Sequence, residues 1–211
     1  MSVRPSSVWA AMLRGNERFV TGSPQHPRQD VERRESLVDA QLPLAAIFGC
    51  SDSRLAAEII FDLGLGDAFV VRNAGQVISE SVLGSLEYAV SVLHVPLILV
   101  LGHDECGAVR AAIDSQDIDA TPLPPHIATL VAPIIPAVHR VSGGGVGHPV
   151  DTTHVDASEV GREHLRDTVA ELLQESEMIS AAIAEGTLAI VGANYRLQEG
   201  RVVPDVEVGL V

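Results

Sequence analysis

Four short apolar runs constrain this chain most: Pro43 to Gly49 (PLAAIFG), Ala68 to Val71 (AFVV), Val95 to Gly102 (VPLILVLG) and Thr187 to Gly192 (TLAIVG). Each is too short for a core helix, and none alternates apolar with polar as a half-exposed strand does. Runs of this kind are strands covered on both faces, the situation in a parallel sheet flanked by helices. The intervening segments carry helical spacing. Val82, Leu83, Leu86, Tyr88, Ala89, Val90 and Leu93 fill one side of a helix from about Ser79 to Leu93. Leu165, Val169, Leu172, Leu173, Ile179 and Ile183 do the same for one long helix ending near Gly186. Strands alternating with helices predict an α/β fold with helices on both faces of the sheet.

At the N-terminal end, Trp9, Met12, Leu13, Phe19 and Val20 predict a helical arm over about residues 6–20 that packs on its own sheet or on a second subunit. Gly200 marks a turn between Tyr195 and Val202, so the last strand is expected to form one arm of a hairpin. The stretch from Val141 to Asp156 (VSGGGVGHPVDTTHVD) is glycine-rich and polar, and a mobile loop is expected there. Its GGGVG string lacks the Lys-Ser/Thr pair and the strand-to-helix setting of a phosphate cradle. Without a repeat or a linker, residues 1–211 are read as a single domain.

Charge narrows the partners. The chain has 14 Lys and Arg against 28 Asp and Glu, a formal net charge of −14. Nucleic acid is thereby excluded as a natural partner, since phosphate binding draws on Lys and Arg, and adsorption to an anionic membrane is disfavoured. No apolar run reaches the roughly 18 residues of a membrane helix, and the start MSVRPSSVWAAML carries no secretory pattern. A cytoplasmic location is the expectation.

The two cysteines, Cys50 and Cys106, sit where the first and third apolar runs stop. The first run leads into Gly49-Cys50-Ser51-Asp52-Ser53-Arg54, the third into Gly102-His103-Asp104-Glu105-Cys106-Gly107. Ligands of open α/β sheets bind outside the carboxyl ends of the strands. If these strands are neighbours, Cys50, His103 and Cys106 converge on one crevice. Two thiolates and an imidazole suit tetrahedral Zn²⁺, and three protein ligands leave the fourth position for water. Asp52 introduces a choice: its carboxylate either takes that fourth position, closing the site, or pairs with Arg54 and leaves the site open. Two thiolates cancel the formal charge of the ion, so zinc acidifies its water less than in a three-histidine site. A carboxylate fixed by Arg54 compensates by accepting a hydrogen bond from that water and aiming its lone pair. This reading predicts activity that rises with pH above neutrality.

The strings CSDSR and GHDECGAV resemble the two zinc-binding signatures of the β-class carbonic anhydrases. The resemblance covers nearly the whole chain, through GNERFV, the AE after CSDSR, FVVRNAG, SVLGSLEYAV and LAIVGANYRLQEGRV, in order and at suitable separations. It implies zinc on Cys50, His103 and Cys106, with Asp52 and Arg54 as the catalytic dyad. It further implies a mostly parallel four-stranded sheet with an added antiparallel strand, and a homo-oligomer, dimer or tetramer, whose active cleft lies at a subunit interface. The implied reaction is reversible hydration of carbon dioxide to bicarbonate and a proton by zinc-bound hydroxide. Gln41, nine residues before Cys50, fits the family position that hydrogen-bonds the substrate, and Phe69 fits a position lining the apolar CO₂ pocket. Some members hold inhibitory bicarbonate with a Trp three residues before the first Cys. That residue here is Ile47, so the inhibitory site is expected to be lost and Arg72 and Tyr195 to be structural, as an ion pair and a core tyrosine. His148 and His154 are candidate proton shuttles. Two rivals use the same ligands: a hydrolase of carbonyl sulfide or carbon disulfide, and a non-catalytic zinc-binding protein.

Overall fold

A computed structural model describes residues 3–144 and 150–210. The chain begins with helix α1 (Pro5–Val20) and the short α2 (Val31–Ser36), then enters strand β1 (Ala45–Cys50). Helix α3 (Ala57–Ile60) leads to β2 (Ala68–Asn73), α4 (Glu80–Ser91) and β3 (Leu97–His103). Helices α5 (Gly107–Asp114), α6 (Pro125–Val131), α7 (Ile135–Ser142), α8 (Ala157–Glu175) and α9 (Glu177–Ala184) precede the hairpin of β4 (Ala189–Arg196) and β5 (Arg201–Val208). The sheet runs in the order β2-β1-β3-β4-β5. The first four strands are parallel and β5 is antiparallel to β4. Four parallel strands with one antiparallel addition match the expected fold.

The absence of alternation in the strands has the expected cause. Every residue of β1 and β3 is buried. Leu97, Leu99 and Leu101 face one core with Trp9, Phe61, Ile113 and Val138. Ile98 and Val100 face the other with Leu86, Leu165, Leu172 and Ile179. Successive side chains point to opposite faces, so both parities must be apolar.

Helix α1 starts with Pro5 in its first turn, where the missing N–H costs nothing. Val8, Trp9 and Met12 are buried within the chain, and the Trp9 and Phe61 rings meet edge to face at 6.5 Å. The arm therefore packs on its own chain. Asn16 is buried beneath it: its Nδ2 donates to Gly200 O at 2.8 Å and Ile60 O at 3.2 Å, and its Oδ1 accepts from Val202 N at 2.9 Å. This one amide ties the first helix to the last hairpin.

Two expectations need correction. The single helix predicted through Ile183 is two, α8 and α9, divided at Ser176 with φ −120° and ψ 98°. Ser176 Oγ accepts from Ile179 N at 3.3 Å and donates to Glu87 Oε1 at 2.7 Å, so the break is built as a new N-cap. The segment expected to be a loop over 141–156 is anchored where it is described. Helix α7 reaches Ser142, Val150 is buried and donates to Gln116 O, and Thr152 Oγ1 donates to Asp117 Oδ2. The rest of the GGGVG string and His148 lie outside the described residues.

Asn16→Ala strands one buried N–H and two carbonyls, so a loss of about 2–4 kcal/mol is expected. Urea unfolding at fixed protein concentration measures it as a lowered midpoint.

Candidate metal centre

Strands β1 and β3 pair directly, with Gly49 opposite Leu101, so their carboxyl ends lie side by side. Cys50 is the last residue of β1 and His103 the last of β3. Cys106 stands at the N-cap of α5, one turn beyond His103. The two sulfurs are 4.0 Å apart, and the three potential ligand atoms all lie within 4.8 Å of one another. An ion about 2.3 Å from each of two tetrahedral thiolates separates them by about 3.8 Å, so the observed gap is the right size for zinc.

His103 Nδ1 lies 2.8 Å from Asp104 O, which only accepts, so Nδ1 carries the proton. Nε2 is then a bare lone pair, and it is buried with no hydrogen-bond partner among the described residues. A buried acceptor aimed at two sulfurs is what a metal ligand looks like before its ion is considered. The sulfurs agree. A hydrogen bond from Cys106 is the largest influence lowering the Cys50 thiol, with the Gly75 amide adding to it. The Cys50 sulfur and burial push the Cys106 thiol far up, against the amides of Val109 and Ala108. The pair thus keeps one proton between two sulfurs. A divalent cation replaces that proton and lets both ionise. The donor set fits zinc.

Asp52 and Arg54 face each other in the turn after β1. Arg54 Nε and its backbone N–H donate to Asp52 Oδ1 at 2.9 and 2.8 Å, and Nη2 donates to Oδ2 at 2.7 Å. Arg54 Nη2 also donates to Glu105 O at 3.1 Å, joining the turn after β1 to the turn after β3. Asp52 Oδ2 is 4.0 Å from His103 Nε2. The Asp52 carboxylate thus rests on arginine. The Arg54 side chain holds the Asp52 carboxyl well below the usual carboxylate range.

Sequence reasoning missed what fixes these turns. Arg72 forms no ion pair among the described residues: its Nε donates to Cys50 O at 2.9 Å and its Nη2 to Asp52 O at 2.6 Å. It holds the backbone on either side of Ser51. The space lined by Ile47, Arg72 and Val70 amounts to 10 Å³, room for about one water. Tyr195 is buried on β4, opposite His103. Gly75 N donates to Cys50 Sγ at 3.3 Å. The only sequence signal for that contact was RNAG directly after the second apolar run.

Gln41 and Phe69 are not brought to this cluster within the chain. Gln41 is exposed in the connection before β1, at the opposite end of the strand from Cys50. Phe69 pairs with Ala46 in the strand register, about 13 Å along β1 from Cys50 at 3.3 Å per residue. It is half-buried, 6.2 Å from the Tyr88 ring. His154 is exposed and rests on Asp151 and Thr153.

Comparison with known proteins follows the same lines. The sequence family described as carbonic anhydrase matches residues 45–202. Carbonic anhydrase 2 of Mycobacterium tuberculosis is 50% identical over 202 residues, covering 96% of this chain and 93% of that protein. A carbonic anhydrase of Mycolicibacterium smegmatis is 49% identical over 198 residues, covering 94% and 92%. Among solved structures, one of two tetrameric β-carbonic anhydrases of Sordaria macrospora superposes with a TM-score of 0.70 at 21% identity, covering 96% of this chain and 99% of that one.

If Arg54 is what depresses Asp52, the carboxyl stays ionised from mildly acid pH upward. Its contribution to folding is then present above the unfolded carboxyl pKa and is lost as pH falls through the folded value. Carboxyl-carbon NMR is expected to find Asp52 unchanged across neutral pH, and Arg54→Met is expected to raise its titration toward the ordinary range.

Proposed function

The chain is an enzyme of the β-carbonic anhydrase family, whose general reaction is hydration of CO₂, and from that premise we propose that it converts CO₂ and water reversibly to bicarbonate and a proton with zinc on Cys50, His103 and Cys106. The observation that carries this reading is the buried, unpartnered Nε2 of His103 facing two sulfurs 4.0 Å apart. Zinc held there would supply Lewis-acid activation of a water molecule.

The remaining work falls to the chain's own residues. Asp52 Oδ1 already accepts two hydrogen bonds and Oδ2 one, so Oδ2 retains a lone pair. Oδ2 is the oxygen nearer His103 Nε2. It accepts a hydrogen bond from the attacking water and turns that water's lone pair toward the carbon of CO₂. Arg54 keeps the carboxylate ionised and off the cage, which is a positioning role worth more than its exposed charge alone. One water and one CO₂ give bicarbonate, and the proton released passes to buffer.

Gln41 and Phe69 act, in this reading, in the site of a second subunit. Their distance from their own Cys50 supports it, as does the edge strand β2, which leaves Phe69, Val70 and Val71 half-covered beside exposed Tyr88, Ile59 and Leu65. The assembly is a dimer or a higher oligomer made from it.

Asp52→Asn is expected to lower CO₂ hydration by about 100-fold or more, with zinc still at one ion per chain by metal analysis. Near-parental turnover would remove Asp52 from the mechanism. Assays with carbonyl sulfide and carbon disulfide on the same sample decide the substrate class. Mixing Asp52→Asn with Gln41→Ala subunits is expected to give activity above the mean of the two pure variants, because each hybrid holds one intact site. Strictly additive activity would confine Gln41 to its own subunit or to no role.

A further inference from the structure

Helix α8 buries Val160, Leu165, Val169 and Leu172, yet two further buried positions on it are polar. His164 is 2% exposed and Thr168 1%, one helical turn apart and hence on one side of the helix. Both reach the turn that follows β2. His164 Nε2 lies 2.7 Å from Gly75 O. Thr168 Oγ1 lies 2.8 Å from His164 O and 3.4 Å from Gln76 O.

A carbonyl oxygen only accepts, so His164 carries its proton on Nε2 and leaves Nδ1 bare. Nδ1 is buried and has no partner among the described residues. Burial, the largest influence on this imidazole, lowers its pKa and keeps it neutral. A leucine would fill the position without leaving a buried nitrogen unsatisfied, so packing alone does not account for histidine here.

What the turn needs is restraint. Gly75 (φ +84°) and Gln76 (φ +43°) are both left-handed, and for Gln76 that conformation costs about 1–2 kcal/mol. A Cβ at Gly75 would stand 2.9 Å from Ala108 Cβ, so the turn is also pressed against α5. Asn73 spans it, accepting from Val77 N at 2.9 Å and donating to Val77 O at 2.7 Å. Past the end of β2, His164 takes the Gly75 carbonyl, and Thr168, whose single hydroxyl proton goes chiefly to His164 O, adds a longer shared contact to Gln76 O. The product of this restraint is the Gly75 N–H, which points at Cys50 Sγ from 3.3 Å. Hydrogen bonds to a ligating sulfur set its orientation and its donor strength.

We propose that His164, assisted by Thr168, is a positioning residue for the metal cage: it clamps the Gly75–Gln76 turn so that the Gly75 N–H stays on the Cys50 sulfur. The inference rests on the zinc reading of Cys50, His103 and Cys106, and needs no assumption about the gas that reacts there.

The test uses the full-length, zinc-loaded protein and its cobalt-substituted form. His164→Leu is expected to release zinc to a chelator about 10–100-fold faster than the parent and to shift the sulfur-to-cobalt charge-transfer band. His164→Gln, which keeps an N–H donor, is expected to recover part of both. A release rate and cobalt band like the parent's in His164→Leu, even with a lower unfolding temperature, would reduce His164 to a structural role and overturn the proposal. Should His164→Leu not fold, Thr168→Val is read by the same two measurements: a smaller change in the same direction supports the clamp, and none overturns it. A parent that takes up neither zinc nor cobalt fails at an earlier step and removes the zinc reading itself.

Discussion

Direct parallel pairing between β1 and β3 is the constraint from which the metal centre follows. These strands are far apart in sequence, and their register brings the end of β1, with Cys50, level with the end of β3, which carries His103. A one-residue slip would turn Phe48 and Val100 into the wrong core and carry Cys50 away from the crevice, so the apolar residues that lock the register also fix the ligands. Core packing and cage geometry are therefore one requirement. The two sulfurs enforce the rest, because neighbouring buried thiolates without a cation repel each other.

Around that pairing the chain uses backbone groups more than side chains. Arg72 holds the carbonyls of Cys50 and Asp52, Arg54 holds that of Glu105, and the Gly75 amide meets a sulfur. Each joins turns from different strands. Cross-linking of this kind suits a site whose ligands come from loops, since loops carry few contacts of their own. Two of the 14 Lys and Arg residues of this acidic chain, Arg54 and Arg72, are placed here.

Much of this was legible in the sequence because burial on both faces leaves an unmistakable pattern. Strands β1, β3 and β4 stood out for that reason, the half-covered edge strand β2 by its apolar run alone, and the ligands because they end β1 and β3. The division of α8 from α9 was hidden: Leu172, Leu173, Ile179 and Ile183 keep an apolar face across Ser176, and serine carries no obligatory break. Helices α5 to α7 also escaped notice, the last two being rich in proline that reads as loop. Gln41 and Phe69 were placed by offset from recognised strings, and an offset cannot say which copy of the chain a residue serves. The Gly75 contact was beyond reach for a simpler reason, since a backbone N–H has no letter of its own.

The amide of Asn16 joins residues near the start of the chain to Gly200 and Val202 near its close. During synthesis the first helix leaves the ribosome long before the hairpin it rests on exists. Trp9 and Met12 stay uncovered in part until residues 200–202 have been made. Contacts of such long sequence separation slow the final step of folding, so the nascent enzyme spends its youth with its N-terminal helix undocked and open to whatever chaperone or sister chain meets it first.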